Sequence, residues 1–221
     1  MIMPIVAAFF YFIVFPTAEE AWGVYVAAKV FILLWPVIAL VLIEKKRPAW
    51  PQRIDWRRHV DAVQWGLLTG LIIVVWGISV FEFTAIGEYV RTYGGAVRSK
   101  VAELHLDVPV VYVLFTGAIS LLHSLLEEYY WRWFVYGRLR ELIRPSMAYW
   151  VAGMAFAAYH YVVLSLYFPA LGTFAFGTLV GIGGVLWCWM LQRQQSIVGI
   201  WISHLLVDVG VFYIGYKLVF A

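Results

Sequence analysis

Long uninterrupted runs of apolar residues, separated by short polar stretches, follow one another along the whole chain. They lack both the two-residue alternation of a half-buried strand and the one-sided periodicity of a helix on a soluble core. A run of about 20 apolar residues crosses the hydrocarbon core of a bilayer as an α-helix. The pattern therefore predicts an all-α, polytopic transmembrane helical bundle of about seven (seven to eight) membrane-spanning helices. The predicted spans cover residues 2–16, 21–43, 62–87, 108–131, 146–168, 171–191 and 197–220.

Composition supports this class and argues against others. Of the 221 residues, 64% are hydrophobic and 13% are charged, whereas soluble domains are about half apolar and about a quarter charged. The net charge of +3 is small, and no basic arm with interleaved aromatic residues predicts a nucleic-acid partner. The stretches between the spans are too short to build a core of their own. Residues 1–221 are therefore predicted to form a single integral membrane domain.

Lysine and arginine residues are distributed unevenly between the predicted loops. Eleven lie in the loops 44–61, 132–145 and 192–196, and three lie in the opposite loop 88–107. Because cytoplasmic loops are enriched in these residues, the bias predicts a cytoplasmic N-terminus and an external C-terminus.

Eight ionisable residues inside the predicted spans are candidates for function, because a charge in the membrane is expensive. Lys29 is expected to extend its ammonium group to the membrane surface, and Glu82 lies close enough to a helix end to reach water. The other six have no such simple explanation. The eight candidates are Lys29, Glu82, His123, Glu127, Glu128, His160, His204 and Asp208.

Three of these residues are expected at a similar depth, although they lie on separate spans. Glu127 lies eleven residues before Arg138, and His204 eleven residues after Arg193. His160 lies sixteen residues after Arg144, and these arginines mark the predicted cytoplasmic boundary. At 1.5 Å per residue this is about 16–24 Å. The agreement requires the fourth predicted helix to continue past Arg132 towards Arg138.

Spacing of one helical turn connects several of the polar residues. Glu128 and Arg132 are four apart and are expected to form an ion pair, which lowers the free energy of holding both charges in the membrane. Glu127 points about 100° away from Glu128 and stays available for chemistry. His204 and Asp208 are also four apart.

A carboxylate, two histidines and an aspartate favour hydrolysis by an activated water molecule. Glu127 is expected to act as the general base, and His160 to orient or deprotonate the same water. His204 and Asp208 are expected to stabilise the oxyanion. An ionised Asp208 cannot donate a hydrogen bond, so it would act protonated or by orienting His204.

Alternatives remain open at this stage. The polar residues are also compatible with a structural ion network that locks the bundle, with His123 as a supporting or packing residue, or with a proton relay in a transporter. Histidine and carboxylate side chains are good zinc ligands. However, no HExxH motif is present and no two histidines share a helical turn. No cofactor is predicted, and a zinc-dependent peptidase remains the alternative.

Three short motifs lie on the late spans in a fixed order. Glu127–Arg132 matches EExxxR, Phe156–His160 matches FxxxH, and His204–Asp208 matches HxxxN or its HxxxD variant. Together they resemble the type II CAAX prenyl endopeptidase family, also called the CPBP (CAAX protease and bacteriocin-processing) family of intramembrane proteases. The resemblance covers residues 127–208.

The resemblance implies an intramembrane endopeptidase with a cavity open towards the cytoplasm. Glu127 and His160 would activate water, and His204 and Asp208 would stabilise the oxyanion, with Glu128 and Arg132 in support. Asp208 departs from the family's Asn, which puts its donor role in question.

The resemblance also implies a membrane location and a class of substrate. The substrate would be a peptide or protein with a lipid-modified, possibly prenylated, or simply apolar tail, and membrane lipid would be the other partner. The short chain is similar to prokaryotic members, so the cell inner (plasma) membrane is expected. A non-catalytic membrane partner, such as a bacteriocin-immunity protein, is the other functional reading.

Overall fold

The computed structural model describes residues 1–15, 18–45 and 56–221, and the side chains of 18–20 are not described. About 90% of the structure is helical, with no strands in the described ranges, so the all-α prediction is confirmed. The helices are α1 (Ile2–Phe9), α2 (Ala18–Ile38), α3 (Trp56–Phe83), α4 (Ala85–Thr92), α5 (Gly94–Glu103), α6 (Pro109–Glu127), α7 (Gly137–Leu142), α8 (Pro145–Leu164), α9 (Ala170–Gln194) and α10 (Ile197–Phe220). Three of them continue as π-helical segments, at Phe10–Val14, Ala39–Ile43 and Glu128–Tyr136.

Six helical segments in the described part of the chain are long and apolar enough to cross a membrane. These are Ala21–Ile43, Trp56–Phe83, Pro109–Leu142, Pro145–Leu164, Ala170–Gln194 and Ile197–Phe220. The first predicted span corresponds to a shorter apolar helix, Ile2–Val14. The polytopic bundle is confirmed, and the total of seven spans stays a prediction.

The fourth predicted span is longer than its apolar run. It was placed at 108–131, but α6, the π-helical segment and α7 form one continuous rod from Pro109 to Leu142. The continuation past Arg132 that the depth argument required is therefore present. The predicted end of the first span at position 16 lies outside the described residues, as do Lys46, Arg47 and Arg53 of the basic loop.

Large apolar side chains on the outer faces of the rods are exposed. Phe83 is 85% exposed, Leu171 78% and Leu114 69%. In water such a surface would be unfavourable, whereas in a bilayer these side chains face hydrocarbon. The exposed surface thus has the chemistry of a membrane protein.

Glycine residues let the helices that carry the site approach one another closely. A Cβ atom on Gly66 of α3 would clash with the backbone carbonyl oxygen of Gly199 on α10, and a Cβ on Gly199 would clash with that of Ala62. Between α8 and α9, a Cβ on Gly184 would lie 3.0 Å from the Cα atom of Gly153. Small residues permit such backbone contact between membrane helices, and here they hold α10 tightly against α3.

Polar contacts bring the basic loops together at one end of the bundle. Arg138 pairs with Glu44 at 3.0 Å, and His59 Nδ1 lies 3.0 Å from the hydroxyl of Ser196. The predicted grouping of the loops 44–61, 132–145 and 192–196 on one side is consistent with these contacts. The compartment that this side faces stays a prediction.

Candidate active site

Two adjacent glutamates, where α6 passes into the π-helical segment, form the centre of the site. Glu127 ends α6, Glu128 begins the wider π-helical turns, and both side chains are buried. His204 of α10 lies between them: its Nδ1 atom is 2.6 Å from Glu128 Oε1, and its Nε2 atom is 3.6 Å from Glu127 Oε2. The two ring nitrogens face different directions, so one imidazole contacts two side chains that leave the helix at different angles. π-Helical turns inside α-helices are frequent at functional sites.

Glu128 and Arg132 form the ion pair that their spacing predicts. The Arg132 Nη1 atom lies 3.1 Å from Glu128 Oε1, and the two side chains are 1% and 0% exposed. The contact is a charge pair without hydrogen-bond alignment. The guanidinium group also lies 4.1 Å from the ring centre of Phe156 and 4.9 Å from that of Trp187. These ring faces add cation–π stabilisation to a buried charge.

The two carboxylate oxygens of Glu127 have different surroundings. Oε1 accepts from His123 Nε2 at 2.8 Å and from the hydroxyl of Tyr159. Oε2 faces His204 at 3.6 Å, which is longer than a normal hydrogen bond. One oxygen is thus anchored by two donors, and the other remains available.

His160 of α8 stands beside this carboxylate with one nitrogen engaged. Its Nδ1 atom lies 3.0 Å from the backbone carbonyl oxygen of Phe156. A carbonyl oxygen can only accept, so Nδ1 carries the hydrogen and Nε2 holds the lone pair of the neutral ring. The ring centre lies 4.0 Å from that of Tyr159 and 4.7 Å from that of Phe156.

Asp208 lies one turn beyond His204, as its spacing predicts. Its Oδ1 atom is 3.5 Å from His204 Nε2, and its side chain is 21% exposed. The ring of His204 also stacks on Trp187, with 4.2 Å between centres. Ring stacking and the Glu128 contact fix the plane of the imidazole, while its Nε2 atom faces the carboxylates of Glu127 and Asp208.

The structure brings all six predicted site residues into one region. Five of them, Glu127, Glu128, Arg132, His204 and Asp208, form a connected set of charge contacts. His160 joins this set through Tyr159, which contacts both His160 and Glu127.

Tyr159 and Trp187 are site residues that sequence reasoning missed. Tyr159 directly precedes His160, so its place in the sequence could have predicted that it lies near the site. Trp187 lies in an apolar run of α9 that holds several tryptophans, so nothing in the sequence distinguished it.

Lys29 corrects one expectation. It does not extend to the membrane surface: its Nζ atom lies 2.5 Å from His123 Nδ1, inside the bundle. His123 in turn contacts Glu127 at 2.8 Å. His123 therefore contacts the site directly. It does more than fill space between helices.

Two cavities, of about 280 and 480 Å³, lie at the end of the bundle that carries α4 and α5. Both are lined by Ala96, Leu166 and Tyr167, and neither is lined by any of the six predicted site residues. The cytoplasmic opening that the resemblance implies is not one of these two cavities. Among the described residues, no three His, Cys, Asp or Glu side chains form a group that could hold a metal ion.

Residues 109–210 match a family model described as Type II CAAX prenyl endopeptidase Rce1-like. The match covers 102 of the 221 residues, and we refer to residues 109–210 as the Rce1-like segment. The resemblance drawn from the three motifs is confirmed, and the Rce1-like segment contains all six predicted site residues. Its family is one of intramembrane proteases, which agrees with the six apolar spans. No curated protein and no solved structure matches the chain.

Proposed function

We propose that this protein is a glutamate-type intramembrane endopeptidase that hydrolyses a peptide bond near the C-terminus of a lipid-modified or apolar membrane-anchored substrate. The observation that carries the proposal is the asymmetric Glu127 carboxylate. Its Oε1 atom is held by His123 and Tyr159, and its Oε2 atom faces His204 without a normal hydrogen bond. A general base needs this combination of fixed orientation and an available oxygen.

In the proposed reaction, Glu127 Oε2 takes a proton from a water molecule as the water oxygen attacks the substrate carbonyl carbon. The lone pair of His160 Nε2 orients that water, because Nδ1 is committed to the carbonyl oxygen of Phe156. Holding the water between two fixed groups lowers the entropic part of the barrier. Attack converts the carbonyl into a tetrahedral oxyanion.

His204 stabilises this oxyanion through Nε2–H. Glu128 accepts from Nδ1–H at 2.6 Å, so the imidazole donates at both nitrogens when it is doubly protonated. Three surrounding carboxylates, those of Glu127, Glu128 and Asp208, favour that form. Asp208 orients the ring and donates nothing itself. The proton taken up by Glu127 then passes to the amine nitrogen, the C–N bond breaks as the oxyanion becomes a carbonyl again, and a carboxylic acid and an amine leave.

The depth of the site limits the substrate class. Glu127 lies about 27 Å along its rod from Pro109 and about 22 Å from Leu142 at 1.5 Å per residue. A scissile bond must therefore reach the middle of a span. Bringing a charged segment there costs a large desolvation free energy. A prenylated or apolar tail has little hydration to lose. This supports a lipid-modified or apolar tail, with membrane lipid around it.

The decisive experiment is Glu127→Gln in purified protein, assayed with a prenylated CaaX peptide and with a panel of apolar-tailed membrane substrates. The amide keeps the side-chain shape but cannot take the proton, so cleavage should fall by about 10²–10⁴-fold. Glu88→Gln is the matched control, because Glu88 is exposed on α4. Full cleavage by Glu127→Gln would remove the proposed base.

We further propose that the reaction needs no metal. Support comes from Glu127, whose Oε1 atom is held by protein donors. A chelator series on the purified protein should leave cleavage unchanged. Activity that is lost to the chelator and restored by zinc would instead favour the zinc-dependent alternative.

We also propose that the end of the bundle carrying the basic loops faces the cytoplasm. Single cysteines at Leu142→Cys and His105→Cys, in a Cys188→Ala background, test this in intact cells with a membrane-impermeant maleimide. The His105 position should react from outside, and the Leu142 position only after permeabilisation. The reverse pattern would invert the topology.

A further inference from the structure

A row of polar side chains leads to Glu127 from Lys29, which lies outside the Rce1-like segment. Lys29 lies on α2, and its Nζ atom is 2.5 Å from His123 Nδ1. His123 lies on α6, one turn before Glu127, and its Nε2 atom is 2.8 Å from Glu127 Oε1. Residues on two helices thus connect an ammonium group to the proposed base through one imidazole.

The chemistry of these groups decides which atom donates in each hydrogen bond. A lysine ammonium donates and cannot accept, so His123 Nδ1 must be the acceptor. Nε2 then carries the ring hydrogen and donates it to Glu127 Oε1. Together with the hydroxyl of Tyr159, this places two donors on the same oxygen. Rotation of the carboxylate by about a quarter turn would break both hydrogen bonds at once.

Charge balance also favours this arrangement. An isolated ammonium or carboxylate within a membrane span is costly. Here burial removes hydration from the Lys29 ammonium, and its Coulomb attraction to Glu127 offsets part of that cost. The ring of Tyr25, one turn before Lys29, lies 5.3 Å from the ammonium and adds a cation–π contact. These contacts stabilise the ammonium group within the bundle.

We propose that Lys29 and His123 are positioning residues that hold Glu127 with Oε2 towards the water and the substrate; this inference rests on the proposed function. Lys29 fixes the tautomer of His123, and His123 fixes the rotamer of Glu127. The proposal makes α2, which lies before residue 109, a functional part of the site. A merely structural contact would pin α2 to α6 and leave the chemical step unchanged.

The first experiment compares kcat and KM for K29M, H123F, H123Q and the double variant K29M/H123F. K29M should lower kcat by about 10- to 100-fold, by analogy with the outer-shell partners of metal-bound histidines, with KM nearly constant. H123Q should retain more activity than H123F, because its amide N–H replaces Nε2–H. Adding K29M to H123F should cause no further loss. K217M, which removes a lysine at the far end of α10, is the matched control and should behave like wild type.

The second experiment does not depend on turnover. Nitrogen NMR of histidine-labelled protein should find His123 with hydrogen on Nε2 and a bare Nδ1, and K29M should convert this into a tautomer mixture. An unchanged tautomer in K29M, a loss in kcat that is the same with and without His123, or equal activities of H123Q and H123F would each overturn the inference.

The two levels of the proposal fail differently. Cleavage that K29M leaves intact overturns the positioning role while the proposed function stands. Absence of any peptidase activity in the wild-type protein overturns the proposed function together with the positioning role that rests on it, whatever tautomer His123 adopts.

Discussion

Two clusters of charged residues occupy α10 and its neighbours, and both contain two glutamates and an arginine, but their surroundings are opposite. The site cluster comprises Glu127, Glu128, Arg132, His204 and Asp208, and its Glu128 and Arg132 side chains are 0% and 1% exposed. The end cluster comprises Glu82, Glu88, Arg91 and Lys217. In the end cluster Glu82 is 26% and Lys217 35% exposed, and its closest contact is 3.0 Å, between Arg91 and Glu88.

The difference shows why position decides what a charge does in a membrane protein. Exposed pairs at a helix end are screened by water and contribute little free energy. Buried pairs lose their hydration, so each member needs a partner in a fixed place. The end cluster therefore ties α3, α4 and α10 together loosely, whereas the site cluster holds its buried charges against one another at close range. Fixed orientation of this kind is what a hydrolytic site requires.

The largest expected effect follows from breaking the buried pair. Glu128→Gln leaves the guanidinium of Arg132 charged and without its carboxylate, so the free energy of unfolding should fall by roughly 3–5 kcal/mol. Thermal unfolding in detergent measures this loss. A variant as stable as wild type would show that the cation–π contacts of Arg132 suffice by themselves.

The next largest effect should appear in activity. His204→Gln removes a donor at the proposed oxyanion position, so kcat should fall by about 10²–10³-fold. Lys217→Gln changes a basic residue on the same helix within the end cluster and should leave kcat near its wild-type value. Equal losses in the two variants would mean that both act only by displacing α10.

A packing substitution separates helix placement from charge. Gly66→Ala puts a Cβ atom onto the carbonyl oxygen of Gly199, so α10 must move away from α3 at a cost of roughly 1–3 kcal/mol. Gly77→Ala, on the same helix with open space around it, is the control and should be tolerated. Stability and kcat are both measured, because any shift of α10 also shifts His204. If Gly66→Ala behaved like Gly77→Ala, the close contact would have no energetic importance.

The smallest effect belongs to the end cluster. Glu82→Gln removes the carboxylate that pairs with Arg91 and Lys217, but the unfolding free energy should change by only about 0–1 kcal/mol. Raising the salt concentration should reduce even this difference. A loss as large as that of Glu128→Gln would abolish the distinction between the two clusters.

Local spacing predicted those contacts that lie within one helix. Glu128 with Arg132 and His204 with Asp208 are four residues apart, and helical geometry alone makes each pair neighbours. His123 and Glu127 follow the same rule. Contacts between helices were harder to predict: the three motifs indicated that α6, α8 and α10 meet, but not which atoms would touch.

Lys29 is the clearest case of information missing from the local sequence. Its distance from a span end suggested a side chain that reaches the surface, and only the packing of α2 against α6 turns it towards His123. Trp187 is similar, because it becomes the ring under His204 only when α9 and α10 lie side by side. Tyr159 is an intermediate case. Its position next to His160 predicted that it lies near the site, but not that it contacts Glu127.

The amino-acid sequence alone determined the membrane class, the helical bundle, the motifs that match the Rce1-like family and the pairs one turn apart. These follow from hydrophobicity and from the 3.6-residue turn, which are local properties. Only the tertiary structure decided which oxygen of Glu127 is anchored, which nitrogen of His204 faces each glutamate, and that Lys29 reaches the site. Those facts depend on distances between helices, and glycine contacts such as Gly66 with Gly199 set these distances through packing that no single segment encodes.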